Sequence, residues 1–240
     1  LRLPGHAPLV GRGESGAASS REKRRLLGMP VFSALIWAAC CAGAQAAVIQ
    51  HEIRPHRELS GRWQWSLLAA AGAVGAIGGW FAALRTAAAL DQLRLLLVMA
   101  ALCAAAGVDL TRRRIPNLLS VLLLAGFAVC TALDFLLRRE RAAGLLLAGV
   151  LGGVGLLAVL GLCRLISRGG IGMGDIKLFS ALSLLLGLYG GMCTLILAQL
   201  AALVCAVVLL LARKATLKDS IPFAPFFAVG FLLCLILGTY

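Results

Sequence analysis

The sequence predicts an all-α fold: a polytopic helical membrane protein with about eight transmembrane helices. Of its 240 residues, 61% are hydrophobic and only 14% are charged, whereas soluble domains are roughly 45–50% apolar. The mean hydropathy is +0.95. The apolar residues also come in solid runs, where a membrane β-barrel would alternate polar with apolar, and a chain in lipid must satisfy its backbone within helices. The 28 glycines suit close helix packing.

Residues 1–28 are polar and basic, rich in Gly and Ser, and without the periodicity of a packed core, so they read as a disordered segment. The first methionine is Met29, immediately before the first apolar run. The native start is therefore expected at Met29, with the preceding residues dispensable. Apolar runs follow at 30–49, 66–84, 95–109, 115–137, 144–166, 178–189, 192–212 and 222–239. At roughly 20 residues per crossing, these give eight spans. The stretch from Leu178 to Ala212 is too long for one ordinary crossing, and Gly187, Gly190 and Gly191 near its middle divide it into two tightly joined helices. Gly149 with Gly153, and Gly187 with Gly191, have GxxxG spacing, which reads as helix packing. Trp63 and Trp65 precede the second span, where aromatic residues mark the membrane interface. The chain thus divides into the basic segment 1–28, two spans with a short loop over 29–92, and a core over 93–240.

The formal charge of +13 raises nucleic acid as a partner, but the 23 Lys and Arg are scattered between apolar runs, which fits positive-inside anchoring in a lipid bilayer. Twelve of them fall in odd-numbered loops and five in even-numbered ones. The odd loops are therefore expected in the cytoplasm and the N-terminus outside. Six more precede Met29 and oppose this orientation unless translation begins at Met29. REKRR, an apolar stretch and Ala44-Gln45-Ala46 have the parts of a cleavable signal peptide, but that reading would reverse the orientation the loops favour. The eight cysteines lie in apolar segments without a CxxC pair and read as small buried hydrophobes. His51 and His56 lack a third ligand, so neither a metal nor an organic cofactor is expected.

Carboxylates bordering membrane spans are costly to keep there and are functional candidates for that reason. Asp109 ends the third span in GVDLTRRRIPN, and Asp175 precedes the sixth in GGIGMGDIKLF. Both belong to odd loops, so both lie on one face. Two carboxylates sharing a site can divide one proton and polarise a water, one acting as base and its protonated partner as acid. Gly172 and Gly174 flank Met173 just before Asp175, where glycine allows close backbone approach. Pro116 suits the start of a helix, and Asn117 follows it. Lys177 is balanced between anchoring and site electrostatics, and Arg164 between snorkelling and steering. Asp134 and Arg138 are spaced as an i,i+4 structural pair.

Three blocks together, DLTRRRIPN with Asp109, GMGDIKL with Asp175 and Lys177, and IPFAPFFAVG from Ile221 to Gly230, resemble in order and spacing the type IV prepilin leader peptidases, which are membrane aspartyl proteases of the GxGD type. The resemblance covers roughly residues 93–240. It implies that Asp109 and Asp175 are the catalytic pair, with Gly172, Gly174, Lys177, Pro116 and Asn117 supporting the site. It also implies that the substrate is a prepilin or pseudopilin, cut between a basic leader and a hydrophobic helix at the cytoplasmic face of the bacterial inner membrane. Many members carry two CxxC pairs between the first two spans, linked to N-methylation of the new terminus. Here the loop from Gln50 to Trp65 has no cysteine, so peptidase without methylase is expected. Two rival classes are a small proton-coupled transporter and a catalytically silent subunit of a pilus or secretion assembly; no repeated halves with matching broken segments favour the transporter. The oligomeric state is not legible.

Overall fold

The computed structural model describes residues 12–53, 61–86, 88–168, 170–213 and 222–240, and its regular elements among these are all helical. They are α1 (Arg12–Val48), a π-helical turn (Ile49–Ile53), α2 (Gly61–Arg85), α3 (Ala89–Arg112), α4 (Asn117–Leu137), α5 (Arg139–Ile166), α6 (Met173–Leu211) and α7 (Ala224–Leu237). Six are long and apolar enough to cross a membrane, and Ala224–Leu237 is a shorter apolar helix. The chain is an all-α, multi-pass membrane protein.

Helix α1 begins at Arg12, so the backbone of residues 12–28 is helical where the sequence predicts disorder. Extending an existing helix needs no new nucleus, and this stretch is supplied with Ala, Glu, Lys and Arg. Its apolar, membrane-length part still starts at Pro30. Residues 1–11, His56 and Ile221, on which several sequence expectations fall, lie outside the described residues.

Gly187, at φ +73°, interrupts α6. The chain turns back there. In a straight helix residues 183 and 191 would stand about 12 Å apart along the axis, yet a Cβ placed on Gly191 would come within 2.9 Å of the Ser183 Cβ. Beyond the turn, Gly190 lies beside Tyr240 and Gly230 against Ala198, so α7 runs antiparallel to the second arm. The single element α6 therefore supplies two spans, 173–186 and 188–211, as the glycines at its middle predict. With the shorter α7, the described residues hold eight apolar helical segments. Only Gly187 makes the break, since Gly190 and Gly191 serve close packing.

Helix α5 seats this hairpin. A Cβ on Gly152 would stand 2.7 Å from both the Leu188 nitrogen and the Ser183 oxygen, and Gly153 faces Leu184. Backbone cannot move aside as a side chain can. Gly152→Val is expected to destabilise the protein by about 1–3 kcal/mol, the usual cost of overpacking, read as a lower unfolding midpoint in detergent; an unchanged midpoint would mean that α5 and the hairpin do not meet this closely.

Helix α3 is central. More than half of its membrane window is buried, and it packs on α1, α2, α4, α6 and α7. Small residues such as Ala104, Ala105 and Gly107 let neighbours close in on several sides. At the end of α3 away from Asp109, Arg94 pairs with Asp134 of α4, which is fully buried. Arg138 stands 4.0 Å from Asp134 and donates to Asp91 Oδ1 at 3.0 Å. The expected Asp134–Arg138 pair is therefore a four-residue network in which Arg94 is the close partner. A spacing rule confined to one helix could not reveal a partner on the next. Of the cysteines, Cys41, Cys103, Cys130 and Cys234 are buried, whereas Cys40 and Cys163 are exposed on the helix surfaces, contrary to the reading of all eight as buried; apolar helix faces turned to lipid accept cysteine as readily as the core does.

Candidate functional site

Asp109 lies in the last turn of α3, and only 8% of it is exposed. The helix ends because Arg113 adopts the left-handed conformation, φ 51°, and its amide bonds back to the Asp109 carbonyl. Asp109 thereby projects from the mouth of the central helix. Its Oδ2 accepts a hydrogen bond of 2.9 Å from the backbone N–H of Ala224. Ala224 is the first residue of α7, and the four leading amides of a helix have no partner within it. The carboxylate thus meets one of the unmatched donors of α7, at the positive end of its dipole.

Asp175 sits in the first turn of α6, partly buried. Helix α6 packs on α3, and the Asp109 and Asp175 carboxyl groups are close enough for the charge of one to bear on the other. The backbone of Gly172 hydrogen-bonds the Asp175 carboxylate. A Cβ on Gly172 would approach Asp175 Oδ2 to 2.9 Å, so residue 172 must be small for the carboxylate to fold back over its own helix start. Gly174 answers to a different neighbour: a Cβ there would come within 3.2 Å of the Ile115 Cβ. The two glycines of GMGD therefore do separate jobs. One admits the carboxylate, and the other admits the segment that joins α3 to α4.

That segment carries the IPN residues. Pro116 stands immediately before α4 with φ −69° in extended backbone, and Asn117 opens the helix. Val108, Arg112, Arg114, Ile115, Pro116 and Asn117 line a hollow of about 480 Å³ beside Asp109 on this face. Lys177 points elsewhere. Two residues along a helix turn it about 200° away from Asp175, and it lines, with Asn117, a groove between α4, α5 and α6. The structure thus joins Gly172 to Asp175, Gly174 to the IPN segment, and Lys177 to Asn117, while α3 and α6 bring the two aspartates close enough for the charge of one to bear on the other.

Three contributors escape the sequence reading. The Ala224 amide is one: Pro225 in the first turn of α7 signals a helix start, but no sequence rule says which side chain that start will meet. Arg164 is another: it donates Nη1 to the Ile171 carbonyl, tying the end of α5 to the backbone just before Gly172. The third is Gln45 of α1, 1% exposed, whose amide rests on Gly107 two residues before Asp109 and makes no hydrogen bond among the described residues. No group of three or more His, Cys, Asp or Glu that could hold a metal ion occurs among the described residues.

The chemistry open to this arrangement is that of two neighbouring carboxyl groups at one end of an apolar bundle, one fixed by a backbone amide and the other folded over a glycine. No curated protein and no solved structure matches the chain. The model of the type IV leader peptidase family matches residues 96–239, a stretch that contains both aspartates, the GMGD turn, the IPN segment and the start of α7. The chain therefore belongs to the type IV leader peptidase family.

Proposed function

We propose that this peptidase-family protein is a membrane aspartyl endopeptidase that removes the basic leader from type IV prepilins or pseudopilins, with Asp109 and Asp175 activating a water. The observation that carries the reading is the pairing of these two carboxyl groups at one end of the bundle, each held by a separate backbone feature. Asp109 has one oxygen engaged by the Ala224 amide and its other oxygen left for the water. One carboxylate takes a proton from the water as it attacks the scissile carbonyl. The protonated partner donates its proton to the carbonyl oxygen, giving a tetrahedral diol; as the C–N bond breaks, the first carboxyl passes the proton it took from water to the leaving amine, and the partner recovers a proton from a diol hydroxyl. No metal or organic cofactor enters this scheme. Gly172, Gly174, Pro116 and Asn117 support the geometry, and Arg164 positions the loop that leads into Asp175. Cleavage of a prepilin by the purified full chain in detergent or nanodiscs tests the reading; absence of any cleavage across a panel of prepilins and pseudopilins would favour the silent-subunit alternative.

The site faces the cytoplasm in this reading. Its parts come from three odd-numbered connections: that after α3, that after α5, and that leading into α7. The asymmetry of twelve cations against five sharpens further, because Arg94, counted with the even loops, is committed to a buried ion pair. Reporter fusions after Arg114 and after Gly170 are expected to report cytoplasm, and a fusion after Arg139 the outside. The reverse pattern would place the aspartates on the wrong face for a cytoplasmic cut.

The product terminus is expected to carry no added methyl group, because the connection between the first two spans contains neither cysteine nor the length for a methyl-donor pocket. Mass spectrometry of the cleaved pilin from cells lacking a separate methylase decides this: a mass gain of one methyl that depends on this protein would overturn it.

A further inference from the structure

We propose that the groove between α4, α5 and α6 holds an anionic phospholipid, with its phosphate at Lys177 and an acyl chain laid along the apolar floor. The groove encloses about 550 Å³, and its lining is sorted along its length. The polar residues lie toward the end of the bundle that carries the aspartates, Asn117 and Ser120 in the first turn of α4 and Lys177 and Ser180 four and seven residues into α6. Val121 and Leu124 flank them, and the deepest lining, Val154, Leu157 and Leu184, is wholly apolar. Leu184 lies eleven residues into α6, so the apolar part extends about 16 Å from the helix start, close to the roughly 15 Å depth of one leaflet's hydrocarbon. The polar-to-apolar order matches the order of a phospholipid entering from that face.

Charge complementarity selects the head group. Lys177 is exposed and has neither an ion pair nor a hydrogen bond among the described residues. The nearest carboxylate in sequence, Asp175, lies on the opposite side of α6. Around this end Arg112, Arg113, Arg114, Arg164 and Arg168 outnumber the two aspartates, so an anion is favoured and a neutral or cationic amphiphile is not. Ser180 already spends its hydroxyl proton on the Ile176 carbonyl, which leaves Lys177, Asn117 and Ser120 as the donors lining the groove. A basic recess between transmembrane helices at one leaflet is a recurrent setting for phosphate head groups. This inference does not depend on the peptidase reading.

Native mass spectrometry of the full chain, released from micelles doped with equal phosphatidylglycerol and phosphatidylcholine of matched chains, tests it. The wild type is expected to retain phosphatidylglycerol over phosphatidylcholine. Lys177→Gln should weaken that retention by about fivefold, the value of one membrane-proximal cation, and Lys177→Arg should preserve it. Val121→Trp, which fills the apolar part and leaves the charge in place, should also reduce retention, whereas Arg168→Gln, at an exposed cation on the same face, should not. Equal retention of the two lipids by the wild type overturns the site. So does a loss with Arg168→Gln as large as with Lys177→Gln, or full retention by Val121→Trp, since each would mean that general surface charge and not this groove holds the lipid.

Discussion

Replacing either Asp109 or Asp175 with asparagine is expected to lower prepilin cleavage by about a thousandfold, within the range that loss of a positioned acid or base costs, while the protein still inserts in the membrane. The amide keeps the shape of the side chain but cannot exchange a proton with water. In the proposed mechanism the two groups act on one water, so their effects should not multiply. The double variant is expected to be about as inactive as either single one, as members of one catalytic unit fail together. Cleavage rates of the three variants at saturating substrate provide the measurement. Substantial turnover by either single variant would remove the dyad from the mechanism, and multiplicative losses would mean that the two carboxyl groups serve separate steps. Among the described residues the Asp109 carboxylate reaches a backbone donor, so replacing the Ala224 side chain would not reproduce the effect.

The largest loss of stability is expected far from that site. Asp134→Ala leaves Arg94 buried without its close partner, and breaking a buried ion pair from one side costs about 3–5 kcal/mol. The unfolding midpoint of the purified variant should fall accordingly. The paired change Arg94→Leu with Asp134→Leu should recover most of the loss, because two apolar side chains of similar size need no partner in a membrane core. If the double variant is no more stable than the single one, the network is doing something other than neutralising charge. Arg138→Gln should matter far less, since its contact with Asp91 is partly exposed and such pairs are worth about 0–1 kcal/mol.

These two sets of residues differ in how far the sequence could expose them. Asp109 and Asp175 stand out because a carboxylate at the edge of an apolar run is rare and costly, and the motifs around them are local. Asp134 and Arg138 stand out for the same reason, yet the partner that matters, Arg94, lies 40 residues away in sequence. Spacing within one helix ranks i,i+4 neighbours and is silent about neighbours in space. The same limit applies to Lys177, which the motif places beside Asp175 and the helix turns away from it.

What the sequence determined by itself follows from solubility and length. Solid apolar runs of membrane-crossing length leave only helices, and the glycines at the middle of an overlong run require a break. The tertiary structure decided where those helices meet. That Gly187 makes the turn, while Gly190 and Gly191 take up neighbours, depends on which backbone each one faces. That the start of α7 caps Asp109 depends on the hairpin returning the chain to the face it left, so that an unmatched helix amide and a costly carboxylate arrive at the same place. Lipid cannot satisfy a free amide or a buried carboxylate, and for that physical reason such groups find each other across the bundle, along routes that no spacing in the chain records.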